Sequence, residues 1–130
     1  MKIVVGYDGS NSSKEALRVT RRYALAFKAA VDIVTSMEKG TEQEQQAIED
    51  AERGQEWAKT MFDEEKVACR THLLIRGMAP GEDLVDFARE NQADMIVVGV
   101  KRRSKMDKLL MGSTAQYVVL QAPCPVVTVK

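Results

Sequence analysis

The sequence predicts an open, doubly wound α/β domain. One parallel five-stranded sheet carries helices on both faces, in the order β-α-β-α-β-α-β-α-β. Three observations lead there. Five short apolar runs recur along the 130 residues, separated by segments of helix length. The first, fourth and fifth runs are continuous and β-branched, as expected of strands buried on both faces. Parallel neighbours also need long crossovers, and right-handed crossovers distribute helices over both faces of the sheet.

Each element has its own signal. Ile3-Val4-Val5 is the first strand. Ser12-x-x-Glu15 reads as a capping box, after which Ala16, Leu17, Thr20, Tyr23, Ala24 and Phe27 follow at helical spacing. Val31–Val34 is the second strand. Thr41-x-x-Glu44 is a second capping box; it opens a long polar helix with Ala47, Ala51, Gly54, Ala58, Met61 and Phe62 on one side. Residues 68–75 make the third strand. Pro80 suits the first turn of a third helix that turns Leu84, Phe87 and Ala88 inward. Met95–Val98 is the fourth strand. Ser113 is placed to cap the last helix, with Ala115, Val118 and Val119 toward the sheet. Val126–Val129 is the last strand, at one edge. No linker, internal repeat or low-complexity tract divides the chain, so residues 1–130 are expected to form one domain.

Composition narrows the function classes. Hydrophobic residues at 45% and charged residues at 29% exclude wholesale disorder. Nineteen bases balance nineteen acids, with a pI near 6.6, which argues against nucleic-acid binding by bulk charge. No apolar run approaches the ~18 residues that cross a bilayer, so no membrane partner is expected. Met1–Gly6 does not lead into an apolar leader with a cleavage site, and a cytoplasmic location is expected. Cys69 and Cys124 are too few for a disulfide framework or a zinc site, and are expected as small buried side chains. Charge is uneven along the chain. Acids crowd residues 38–66, as on a solvated helix face, while Lys101, Arg102, Arg103, Lys105 and Lys108 cluster beside glycine and serine as a candidate anion site.

In this architecture ligands bind beyond the carboxyl ends of the strands, where the strand order reverses. The segments after strands one and four are therefore the informative ones. After the first come Gly6-Tyr7-Asp8-Gly9-Ser10. Asp8 can accept from ribose hydroxyls or an adenine amino group, or hold a metal; equally, Asp8 and Ser10 can simply shape the turn and cap the helix. After the fourth come Val98-Gly99-Val100-Lys101-Arg102, nine residues (103–111), and Gly112-Ser113-Thr114 at a helix start. Gly112 permits close backbone approach, Ser113 and Thr114 offer hydroxyls and free N–H groups, and the helix start favours a phosphate. Arg102, Arg103 and their neighbours add positive charge; the alternative is a capped helix beside solvated bases.

Other chemistries lack their residues. The third strand ends in Arg76-Gly77, without the aspartate of a phosphorylated receiver domain. Neither the G-x-x-x-x-G-K-[ST] loop of P-loop nucleotidases nor a G-x-S-x-G nucleophile elbow is present. His72, the one histidine, falls inside a strand and reads as a core or edge residue. Trp57 and Phe62 read as packing for the long helix.

Val4-Val5-Gly6-Tyr7-Asp8-Gly9-Ser10-x-x-Ser13-x-x-Ala16-Leu17 resembles the opening of the universal stress protein family. Ala93–Gly99, Leu109-Leu110-Met111-Gly112-Ser113-Thr114-Ala115-x-x-Val118 and Ala122-Pro123-Cys124-Pro125-Val126-Val127 are similar to its later signatures. The resemblance covers essentially the whole chain. It implies a flavodoxin-like, adenine nucleotide alpha hydrolase-like fold, usually dimeric and cytoplasmic. One branch of the family binds ATP through G-x-x-G, nine residues and G-[ST]. Gly99, Gly112 and Ser113 match this pattern; Arg102 stands at the second glycine. There it either reaches over a phosphate as a cation, as expected here, or fills the space a phosphate needs. By the same resemblance Asp8 lies near the adenosine and the end of the second strand, around Met37, lines the adenine pocket.

The function expected is therefore an adenine-nucleotide (ATP or AMP) binding protein with a stress or signalling role and no dedicated turnover. Mg²⁺ would bridge the phosphates if ATP is the ligand. The alternative is a nucleotide-independent dimeric interaction module, and a weak ATPase comes third. A homodimer is expected through the C-terminal strand, whose exposed edge a second copy would cover.

Overall fold

The computed structural model describes residues 1–39, 44–101 and 111–130. Its elements alternate throughout: β1 (Lys2–Gly6), α1 (Asn11–Phe27), β2 (Ala30–Ser36), α2 (Gln45–Asp63), β3 (Cys69–Leu74), α3 (Pro80–Glu90), β4 (Met95–Gly99), α4 (Ser113–Gln121) and β5 (Val126–Val129). All neighbouring strands run parallel, in the order β3-β2-β1-β4-β5. The order reverses between β1 and β4, as the crossover argument anticipates.

The alternation of side chains along β1 separates two cores. Ile3, Val5 and Tyr7 pack against Ala16, Leu17 and Ala24 of α1 and Ala58 and Phe62 of α2. Val4 turns to the opposite face, where it joins Leu84, Val85, Phe87 and Ala88 of α3 and Ala115 and Val118 of α4. A strand that is apolar on both faces must lie inside such a sandwich. β1 and β4 do; β5 does not, since it is an edge strand with half-buried residues at 126, 127 and 129. Two glycines permit close contacts that a side chain would obstruct. A Cβ on Gly81 would stand 3.1 Å from Tyr117 Cβ and 3.2 Å from the Thr114 carbonyl, so α3 seats directly on α4. A Cβ on Gly99 would stand 2.5 Å from the Ser12 carbonyl carbon, so the end of β4 runs against the first turn of α1.

Several local expectations change. α1 is capped by Ser10, not Ser12, and the Ser10 hydroxyl accepts from the Ser13 N–H. Gly9, at φ +83°, turns the chain so that Ser10 is the residue reaching the extended cap conformation. Thr41 lies outside the described residues; α2 starts at Gln45 with Glu44 in the cap position and no side-chain cap bond. Gly112 occupies the cap of α4, so Ser113 is its first helical residue. Pro80 opens α3 as expected. Val119 of α4 and Phe27 of α1 are exposed rather than inward, and Cys69 and Cys124 are only half-buried. Burial pushes the Cys69 thiol up to about 12, which leaves it a poor nucleophile. His72 sits on the edge strand β3, with Nε2 2.8 Å from Asp32 Oδ1 and its ring tilted on Phe87. Phe62 is fully buried, whereas Trp57 is exposed, tilted against Tyr7 and covered by the Lys14 ammonium. No helix among the described residues is long and apolar enough to cross a membrane.

Candidate functional site

A cleft of about 200 Å³ opens at the carboxyl ends of β1, β2 and β4, at the point where the strand order reverses. Gly6, Tyr7, Asp8 and Ser10 come from the β1–α1 turn, Val98, Gly99 and Lys101 from the end of β4, and Gly112, Ser113, Thr114 and Ala115 from the start of α4. Val34 and Ser36 of β2 with Pro80 and Leu84 of α3 close another wall. Of the residues expected at a site, Asp8, Ser10, Val98, Gly99, Gly112, Ser113 and Thr114 thus share one cleft.

Gly9 and Met37 do not line it. They border a neighbouring groove of about 480 Å³ on the α2 side, formed with Thr35, Ala47, Asp50 and Gly54, which Asp8 and Ser36 share with the cleft. The reason is strand alternation: Val34 and Ser36 share one face of β2, and Thr35 and Met37 take the other. Ser36 replaces Met37 at the cleft, and the period-two pattern along β2 would have identified it. Arg102 and Arg103 lie outside the described residues.

The two carboxylate oxygens of Asp8 have different partners. Oδ1 accepts from the Ser10 N–H at 2.9 Å and so shapes the turn. Oδ2 lies 3.4 Å from the Lys101 ammonium, which joins the ends of β1 and β4. Partial burial alone would raise the Asp8 carboxyl. Hydrogen bonds from Ser10 and Ser13 and the charge of Lys101 outweigh it and hold the group below its ordinary value. Burial, reinforced by the Asp8 charge, raises the Tyr7 phenol.

The two helix starts facing the cleft differ. At α1 the Ser10 hydroxyl takes the Ser13 N–H, and the Ser13 hydroxyl donates back to the Ser10 carbonyl at 2.9 Å. At α4 the cap is a glycine with no side chain, and the first helical bond runs from the Gln116 N–H to the Gly112 carbonyl. The N–H groups of Ser113, Thr114 and Ala115 therefore have no partner within the helix. Gly112 has φ −63° and ψ 162°, which any residue adopts. What sets glycine apart there is that it brings no side chain to the cap. Gly99 is different: its lack of a Cβ is needed for packing against Ser12 and Ser13, a role the motif spacing does not reveal.

A third arrangement, also unmarked in the sequence, adjoins the cleft wall. Asp83 is fully buried, with Oδ1 2.5 Å from Arg76 Nε and Oδ2 accepting from the Ser36 hydroxyl at 2.6 Å. Arg76 also donates to the Asp83 carbonyl at 3.2 Å and to Glu90 Oε2 at 3.1 Å. In sequence, Asp83 is one acid in the first turn of an amphipathic helix, indistinguishable from its exposed neighbour Glu82.

The sequence model of the universal stress protein family matches residues 1–130. The chain belongs to that family. Universal stress protein MJ0531 of Methanocaldococcus jannaschii is 34% identical over 140 residues, spanning 99% of this chain and 81% of that protein. A universal stress protein structure from Archaeoglobus fulgidus is 36% identical with a TM-score of 0.90, covering 100% of this chain and 98% of that one. A universal stress protein from the same organism, solved in complex with dAMP, is 33% identical with a TM-score of 0.85 over 100% and 98% of the two chains. The five-stranded, all-parallel α/β fold is thus the fold of universal stress proteins.

Proposed function

We propose that this universal stress protein binds an adenine nucleotide in the cleft, as a stress-response or signalling protein of the cytoplasm without a dedicated turnover. The observation that carries the reading is the glycine-capped start of α4, opening into a cleft at the reversal of strand order. Three N–H groups and the positive end of the helix favour an anion there. The phosphates lie at Gly112, Ser113 and Thr114, with Arg102 as an added cation, and Asp8 lies on the nucleoside side. The similarity to a universal stress protein solved with dAMP supports an adenine ligand. Among the described residues one carboxylate, Asp8, lines the cleft, already faced by Lys101, and Mg²⁺ would enter on the phosphates of ATP. Asp8 is also committed to Ser10 and held ionised by its partners, which suits a binding group better than a base activating water.

Mass spectrometry of the ligand released by denaturing the purified protein tests this reading. Co-purifying AMP or ATP, or a thermal shift on adding either, is the expected result. Apo-protein with no shift would favour the nucleotide-independent interaction module.

A homodimer through β5 is part of the same proposal. β5 is the edge strand of the sheet, and the neighbouring helix exposes Leu120 (69%), Val119 and Tyr117. Pairing with a second copy would cover this edge. Sedimentation at micromolar concentration is expected to show a dimer that Val127→Lys weakens; a stable unmutated monomer would overturn it.

A further inference from the structure

The polar group on the β2–α3 wall of the cleft is Ser36, and its one proton is already committed. Asp83 is fully buried and ion-paired with Arg76, so its carboxylate can only accept. The 2.6 Å contact between Ser36 Oγ and Asp83 Oδ2 therefore has the serine as donor. A serine hydroxyl has one hydrogen and two lone pairs. With the hydrogen held by Asp83, Ser36 offers any ligand lone pairs only. Arg76 holds Asp83 through Nε and through its backbone carbonyl, which keeps this polarity fixed.

The location matters as much as the polarity. Ser36 sits among Val34, Pro80 and Leu84, the apolar wall suited to a base, while the N–H groups without a partner in their own helix belong to α4. β2 and β4 flank β1, so these walls stand about 10 Å apart, two strand spacings. A nucleoside lying across β1 with its phosphate on α4 brings its base to Ser36.

We infer that Ser36, polarised by Asp83, reads the 6-position of the bound purine: it accepts from an amino group and opposes a carbonyl. The cleft thereby selects adenine over hypoxanthine and guanine. This rests on the reading of the cleft as a nucleotide site, and it assigns the base selectivity to a serine–aspartate–arginine relay.

AMP and IMP test it directly, since they share ribose and phosphate and differ at the edge carrying the 6-substituent. Calorimetry on the full chain is expected to show AMP binding at least about tenfold tighter than IMP. Ser36→Ala should bring the two within about threefold of each other. Asp83→Asn, which frees the serine hydrogen to reorient, should lower the ratio with Ser36 still in place. General loosening of the cleft would weaken both ligands and leave their ratio unchanged, so the ratio isolates the relay. Circular dichroism confirms that each variant is folded, and Ser36→Ala carries the test if Asp83→Asn is not. Equal affinities in the unmutated protein, or a ratio that survives Ser36→Ala, would overturn the relay and leave the nucleotide site standing. If the unmutated protein binds neither nucleotide, the nucleotide reading itself fails, and the relay with it.

Discussion

Two helices, α1 and α4, direct their N-termini at one cleft and meet it in opposite states. α1 is closed: Ser10 and Ser13 exchange hydrogen bonds across its first turn, and Asp8 folds back on the Ser10 N–H. α4 is open, because its cap is Gly112. A serine cap takes one of the first N–H groups of a helix, whereas a glycine cap has no side chain to take any. Within one cleft, then, one helix brings its own side-chain cap, and the helix without one is where the ligand is proposed to bind.

The sharpest way to break this contrast is to close α4. Gly112→Asp places a capping carboxylate where the phosphate is proposed to sit. Nucleotide affinity by calorimetry should fall at least about 100-fold, ~2.7 kcal/mol, while the melting temperature holds or rises slightly. Unchanged affinity would mean that the phosphate lies elsewhere. Opening α1 is the converse experiment and a smaller one. Ser10→Ala removes the bond to the Ser13 N–H and should cost about 1 kcal/mol of stability in urea unfolding. Nucleotide affinity should change far less than in Gly112→Asp.

The smallest effect concerns the charge at the α1 turn. The folded-state pKa of Asp8 is lowered, so its ionised form contributes stability above the unfolded value near pH ~4 and loses it as pH falls through the folded value. Asp8→Asn should therefore melt below the unmutated protein at neutral pH. The gap should close on acidification below pH ~4. A gap that persists after the pH has fallen through the folded value would assign the effect to shape instead of charge.

This contrast also shows what the sequence discloses. The strands and their order of burial were legible because β-branched runs such as Ile3-Val4-Val5 and Met95–Val98 permit few other fates. The position of the cleft followed from topology, and Gly99, Gly112, Ser10 and Ser113 of the two turns line it. Caps were harder. Ser10-x-x-Ser13 and Ser12-x-x-Glu15 overlap, and only the Gly9 turn decides which serine reaches extended backbone. Ser36 and Met37 differ by one residue, which in a strand means opposite faces. Asp83 was the least legible, since its burial depends on Arg76 and Ser36 arriving from two other elements.

Gly81 brings a mechanical consequence. Its missing side chain lets α3 lie directly against Tyr117 and Thr114 of α4. Pro80 and Thr114, either side of that seam, both border the cleft. A side chain at position 81 would therefore bear directly on α4 beside the cleft. One methyl group at position 81 would press on Tyr117 and the Thr114 carbonyl, and those neighbours would have to give by a few tenths of an ångström at the edge of the cleft.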